Sequence, residues 1–193
     1  MNKALIINAH QYYPFSEGKL NATLVDKTVS FLSAKGYETR VVTMAEPLDI
    51  EQQLELHRWA DVVILQSPIN WMGLPWSFKK YMDEVYTAGM GGALCNGDGR
   101  SADNPKANYG RGGTLTNTSY MLSVTFNAPA ESFNDEHEFF EGKSVDDLLF
   151  PAHMNFKFFG MQSIPTFSCF DVMKNADIER DLARFESHLN THF

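Results

Sequence analysis

Ala4-Leu5-Ile6-Ile7-Asn8-Ala9 runs apolar with almost no alternation, and Asp61-Val62-Val63-Ile64-Leu65-Gln66 repeats the pattern. A strand that alternates has one wet face, whereas a strand that does not is covered on both. Two such runs point to a parallel sheet with helices on either side. Between them, Leu20, Leu24, Val25, Val29 and Leu32 recur at helical spacing, and Gly36 sits where a helix ends. Tyr37 to Met44 holds the β-favouring Val41-Val42-Thr43, and Pro47 to Ala60 reads as a helix with Asp49 and Glu51 near its start.

Beyond Gln66 the alternation of elements continues. Trp76 to Tyr86 reads as an aromatic-rich helix and Tyr120 to Thr125 as a third clear strand. From Val145 to Phe159 the chain is apolar at mixed spacing, and its helix is expected to start around Pro151. Ile164 to Phe167 is a short strand, and Ile178, Leu182, Phe185 and Leu189 form a last amphipathic stripe. Residues 89–113 carry eight of the 13 glycines and no periodicity, which marks a long loop. With no repeat or linker, residues 1–193 read as one domain. The fold class expected is α/β and flavodoxin-like: a five-stranded parallel sheet in the order 2-1-3-4-5, helices on both faces.

Composition narrows the function. The chain is 44% hydrophobic, enough for a packed core. Sixteen Lys and Arg against 24 Asp and Glu give a net charge of −8, which repels a phosphodiester backbone and argues against a nucleic-acid partner. Two cysteines, Cys95 and Cys169, cannot build a disulfide scaffold or a zinc-thiolate site. No apolar run approaches a transmembrane segment, and the expected location is cytoplasmic. The glycosylation triplets Asn21-Ala22-Thr23 and Asn117-Thr118-Ser119 then carry no meaning.

In sheets of this order ligands bind beyond the carboxyl ends of the strands, so the loops after strands 1, 3 and 4 matter most. The first, residues 10–19, ends in Ser16-Glu17-Gly18-Lys19-Leu20-Asn21-Ala22-Thr23 and opens a helix. It suits either a phosphate at a helix start or an ordinary Ser16 or Asn21 cap. No G-x-G-x-x-G occurs, and Gly142-Lys143-Ser144 lacks the first glycine of a P-loop. The second loop, Pro68-Ile69-Asn70-Trp71-Met72-Gly73-Leu74-Pro75-Trp76, carries large apolar groups that must cover core, subunit or flat ligand. The third, Thr125-Phe126-Asn127-Ala128-Pro129, again offers a hydroxyl, a ring and an amide. None of the three holds a pair of titratable groups placed for acid–base work, so no catalytic residue is assigned. Redox chemistry through a cofactor that brings its own reactive atom fits that absence.

The second loop with Lys79-Lys80-Tyr81, then Tyr109-Gly110-x-Gly112-Gly113 and Tyr120 to Pro129, resembles the flavodoxin-fold NAD(P)H:quinone oxidoreductases, and the likeness runs over nearly the whole chain. It implies FAD, with FMN less favoured, and NAD(P)H as co-substrate. A hydride would pass through flavin N5 in ping-pong fashion and a quinone would leave with two electrons. By the same resemblance Ser16, Glu17, Gly18, Leu20, Asn21 and Thr23 would hold the FAD phosphates. Pro68, Ile69, Asn70, Trp71, Met72 and Gly73, with Thr125, Phe126, Asn127 and Ala128, would grip the isoalloxazine ring, and Tyr109 would reach FAD from a partner subunit. Ile69-Asn70 departs from the family's Gly-Trp, and Asn127-Ala128-Pro129 lacks the Tyr/His relay of the animal enzymes. An azoreductase or FMN reductase, and a non-catalytic regulatory subunit of the same fold, stand as alternatives.

Tyr109, Phe126, Phe139, Phe140 and Phe156 look too many for the loops of a small domain, and predict a homodimer with its sites at the interface. The remaining features read as structural. His188 and His192 lack a third metal ligand, Glu136-His137-Glu138 is an acidic loop, and Cys95 has only Arg100 as a neighbouring cation. His10 is either a partner of the cofactor phosphates or a loop residue.

Overall fold

The computed structural model describes residues 2–44 and 48–193. Its five strands are β1 (Lys3–Asn8), β2 (Glu38–Thr43), β3 (Val62–Pro68), β4 (Ser119–Thr125) and β5 (Gln162–Cys169). They form one parallel sheet in the order β2-β1-β3-β4-β5, as expected. In β1 every residue from Ala4 to Ile7 is buried, because successive side chains enter different cores. Ala4 and Ile6 pack with Leu24, Val25 and Leu32 of α1 (Lys19–Ala34) and Phe185 and Leu189 of α6 (Ile178–His192). Leu5 and Ile7 face the other way, into a core shared with Leu54 of α2 (Ile50–Trp59), Phe78 and Tyr81 of α3 (Trp76–Tyr81), and Ala152 and Phe156 of α5 (Phe150–Phe158). Among the described residues no helix is long and apolar enough to cross a membrane.

Element ends follow local chemistry. Asp49 caps α2, its carboxylate accepting from Gln52 N at 3.0 Å; Pro47, the expected start, lies outside the described residues. The stretch after Val145 divides into α4 (Val145–Leu148), opened by a Ser144/Asp147 capping box, and α5, with Pro151 in its first turn. The aromatic helix from Trp76 does not run on regularly: after Tyr81 it widens into a π-helical turn, Met82–Tyr86, that buries Val85 and Tyr86. β5 extends further than the expected Ile164–Phe167. As the sheet's edge it has carbonyls to satisfy, and α6 supplies donors: His188 Nε2 reaches Pro165 O at 3.0 Å and Arg184 Nη2 reaches Ser168 O at 3.2 Å. The rings of His188 and His192 lie 4.5 Å apart, tilted by 58°, and among the described residues no group of three metal-ligating side chains forms.

Candidate functional site

Beyond the carboxyl ends of β1, β3 and β4 lies a cleft of about 580 Å³. Ser16, Glu17, Gly18, Leu20 and Asn21 line one wall, Pro68, Ile69 and Asn70 another, and Thr125 and Asn127 the floor. All of these are among the expected site residues; Pro14, Phe15, Lys19, Val172, Met173 and Ile178, which are not, complete the lining. Val172 and Met173 come from the connection after β5 and Ile178 from the start of α6, a part of the chain that the switch-point rule does not mark.

The first wall is built around His10. Tyr13 and Ser16 exchange backbone hydrogen bonds at 3.0 and 2.9 Å, closing a tight turn. His10 Nε2 lies 3.2 Å from Ser16 O, and a carbonyl can only accept, so that nitrogen carries the proton. Partial burial lowers the His10 pKa, opposed by the hydrogen bond to Ser16. Gly18 follows with φ +81°, and a Cβ there would overlap the imidazole; only glycine lets the two touch. His10 is therefore part of the loop's frame.

Gly18, not Ser16 or Asn21, is the N-cap of α1. No side chain caps this helix and its first turn holds no acidic residue. The amides of that turn are thus free to meet an anion, and the helix dipole favours one. Glu17, the one carboxylate on the wall, is 2.6 Å from Lys19 Nζ; the pairing holds its pKa down and raises that of the lysine. Asn21 turns its side chain inward, bonded to Gln66 and Thr125. Thr23 leaves the cleft altogether: its hydroxyl donates to Lys19 O, and it lines a groove between α1 and α6.

At the second wall Asn70 and Gly73 exchange backbone hydrogen bonds at 2.9 and 3.1 Å around Trp71 and Met72. Both central residues are left-handed, with φ 49° and 63°. Such a turn suits Asn-Gly, and each bulky residue in it carries strain of about 1–2 kcal/mol. Trp71 is 96% exposed, so the reading of this ring as core is overturned. Met72 and Gly73 line a separate apolar slot of about 220 Å³ with Leu148 and Pro151.

Phe126 does not face the cleft. It is buried and stacks on Phe170 at 5.7 Å, while Ala128 packs against the same core. Tyr109 also stands outside the cleft of a single chain. It is 71% exposed, edge-on to Phe158, with Arg100 over its ring. Of the five aromatic rings expected to drive dimerisation, Phe126 and Phe156 are core instead and Phe140 stacks on Phe133. A different set of large apolar residues is exposed on the loops that follow β1, β3 and β5 and at the start of α3: Tyr12, Phe15, Trp71, Met72, Trp76 and Met173. Cys95 is buried, which raises its pKa, and Arg100 is committed to Asp98.

The cleft thus offers free amides, one neutralised ion pair, neutral polar groups and apolar walls. That donor set fits a phosphate joined to a flat, largely apolar ring, and holds no acid–base pair.

The flavodoxin-like fold family matches residues 2–192. The chain is 41% identical over 189 residues to the NADPH:quinone oxidoreductase MdaB of Haemophilus influenzae, covering 98% of each. Its structure superposes on a candidate quinone reductase from Klebsiella pneumoniae with a TM-score of 0.77, at 23% identity, over 98% of this chain and 83% of that one. On general stress protein 14 of Treponema denticola, solved with FMN, the TM-score is 0.69 at 19% identity with full coverage of both. The family match, the full-length likeness to MdaB and the 2-1-3-4-5 sheet agree: the chain belongs to the flavodoxin-like fold family.

Proposed function

We propose that the protein is a flavin-dependent NAD(P)H:quinone oxidoreductase that binds FAD in the cleft above β1, β3 and β4 and works as a homodimer. The observation that carries this reading is the uncapped amino end of α1 beside an apolar-walled cleft, in a chain 41% identical to an NADPH:quinone oxidoreductase. Ser16, Glu17, Gly18, Leu20 and Asn21 hold the phosphates through backbone amides. Ile69, Asn70, Thr125 and Asn127 flank the ring, and Trp71 and Met72 close over it from the rim. A flavin held there would supply the redox chemistry, hydride transfer through N5 from NAD(P)H and two-electron reduction of a quinone in ping-pong turnover. The chain's own task is to orient the ring, keep water from it and leave one face open to each substrate in turn. The exposed rings at the rim support an isologous dimer, which would cover them and bring Tyr109 of one subunit to the other's site.

Purified protein, denatured and chromatographed, is expected to release FAD, and the intact protein to oxidise NADPH or NADH only when a quinone is present. A preparation that takes up no flavin would instead support a regulatory module. FMN is the second reading, favoured by the FMN complex of the Treponema denticola protein, and chromatography separates the two. Sedimentation of the flavin-loaded protein is expected to give twice 21.8 kDa.

A further inference from the structure

In and beneath the lining of the cleft, four buried polar side chains from three elements form one hydrogen-bonded row. Ser123 Oγ donates to Gln66 Oε1 at 2.7 Å, and Gln66 Nε2 donates to Asn21 Oδ1 at 2.8 Å. Asn21 Nδ2 then donates to Thr125 Oγ1 at 3.4 Å. None of the four is more than 5% exposed. They continue the inner face of β3 and β4 upward, where Val62, Ile64 and Met121 are apolar one or two rungs below. Apolar side chains could fill this layer too, and a buried polar row adds little net stability over them, so its place under the cleft calls for another reason.

Each amide in the row accepts at one end and donates at the other, so the row has a direction. It begins with a donated proton at Ser123 and ends with Thr125 Oγ1 accepting. The single hydroxyl hydrogen of Thr125 is then unspent, since among the described residues no protein acceptor takes it, and Thr125 lines the cleft. We propose that Ser123, Gln66 and Asn21 are positioning residues that fix the Thr125 hydroxyl as a donor aimed into the cleft. That donor selects a hydrogen-bond acceptor on the ligand, a ring carbonyl or ring nitrogen of the flavin. The inference rests on the flavin reading above and extends the site to Gln66 and Ser123, neither of which lines the cleft.

Reversing the row tests it. An ionised Gln66→Glu carboxylate only accepts, so Asn21 must turn its Nδ2 toward position 66 and its Oδ1 toward Thr125. The Thr125 hydroxyl then donates inward and shows the ligand only lone pairs. A protonated carboxyl restores the original direction, and burial raises a carboxyl pKa into reach of ordinary buffers. FAD dissociation constants are measured by titration from pH 5 to 9.5 for wild type, Gln66→Glu, Gln66→Met and Thr125→Val, with a melting curve for each. Thr125→Val, which keeps the shape and loses the donor, is expected to weaken binding about tenfold at every pH. Gln66→Glu should match wild type at the acid end and weaken tenfold or more at the alkaline end, while Gln66→Met stays flat between them. Wild-type binding with Gln66→Glu and Gln66→Met equal and pH-independent, or with Thr125→Val as tight as wild type, overturns the row's role alone. Wild type that binds neither FAD nor FMN overturns the flavin reading, and this proposal with it.

Discussion

Each face of the sheet carries a buried polar cluster, and the two are built to different ends. On the side of α2 and α3, His57 Nε2 meets Tyr81 Oη at 3.1 Å, and that hydroxyl donates to Gln53 Oε1 at 3.2 Å. This cluster is sealed: His57 and Tyr81 are fully buried, and His57 Nδ1 and Tyr86 Oη have no partner. On the side of α1, the row from Ser123 to Thr125 is paired at every link and ends at a cleft. A sealed cluster can express itself only through stability, whereas one that opens on a cleft can express itself through a ligand.

Acid should separate them most. Burial pushes the His57 pKa down to about 4 from an ordinary 6.5. The unfolded chain therefore binds a proton that the folded chain refuses between these values. Stability from this group is full above about pH 6.5 and is lost as pH falls toward 4. At ~1.4 kcal/mol per pH unit the loss is about 3 kcal/mol over the window. Urea unfolding at pH 7 and pH 4.5 should show it in wild type, and much less of it in His57→Gln. Equal acid sensitivity in both proteins would remove His57 as the source.

A smaller effect, of opposite sign, is expected at Tyr86. Its hydroxyl is buried without a partner, so Tyr86→Phe should raise stability by about 1 kcal/mol and leave flavin affinity unchanged. Asn21→Leu is the matching change in the open row. It strands the Gln66 amide, at a cost of about 1–3 kcal/mol, and should also weaken flavin binding. If both substitutions moved affinity alike, the distinction between the clusters would fail. The smallest stability change is expected for Trp71→Ala, within about 0.5 kcal/mol because the ring is exposed. Its flavin affinity should nevertheless fall several-fold if the ring closes over the ligand.

The sequence exposed the sheet because strands buried on both sides read as unbroken apolar runs, and β1 and β3 are of that kind. The loops that form the cleft followed from topology alone. Less legible was where each side chain points. Along β4 and one residue beyond it, Met121, Ser123 and Thr125 face α1 while Leu122, Val124 and Phe126 face the opposite core. That period of two sends Phe126 away from the cleft, against what the resemblance implies. It also flags Gln66 and Ser123, the polar breaks in the series Val62, Ile64, Gln66 and Met121, Ser123, Thr125. No local signal marks the left-handed Trp71-Met72 turn, whose residues contradict its backbone preference, or the π-helical turn at Met82. Asn21 looks like a cap in sequence because caps and buried amides use the same residue type. Gly18 became the cap because His10 fills the space where a side chain would go.

The most direct test of a flavin held at the uncapped amino end of α1 is an FAD titration of wild type against Gly18→Ala, with melting curves for both. A methyl group at position 18 must displace the His10 ring and adopt a left-handed backbone, distorting the anion cradle while leaving the sheet in place. Wild type is expected to form a yellow complex, and folded Gly18→Ala to bind FAD at least tenfold more weakly. Wild-type protein that stays colourless with saturating flavin, or folded Gly18→Ala that binds FAD as tightly as wild type, would contradict that placement of the flavin.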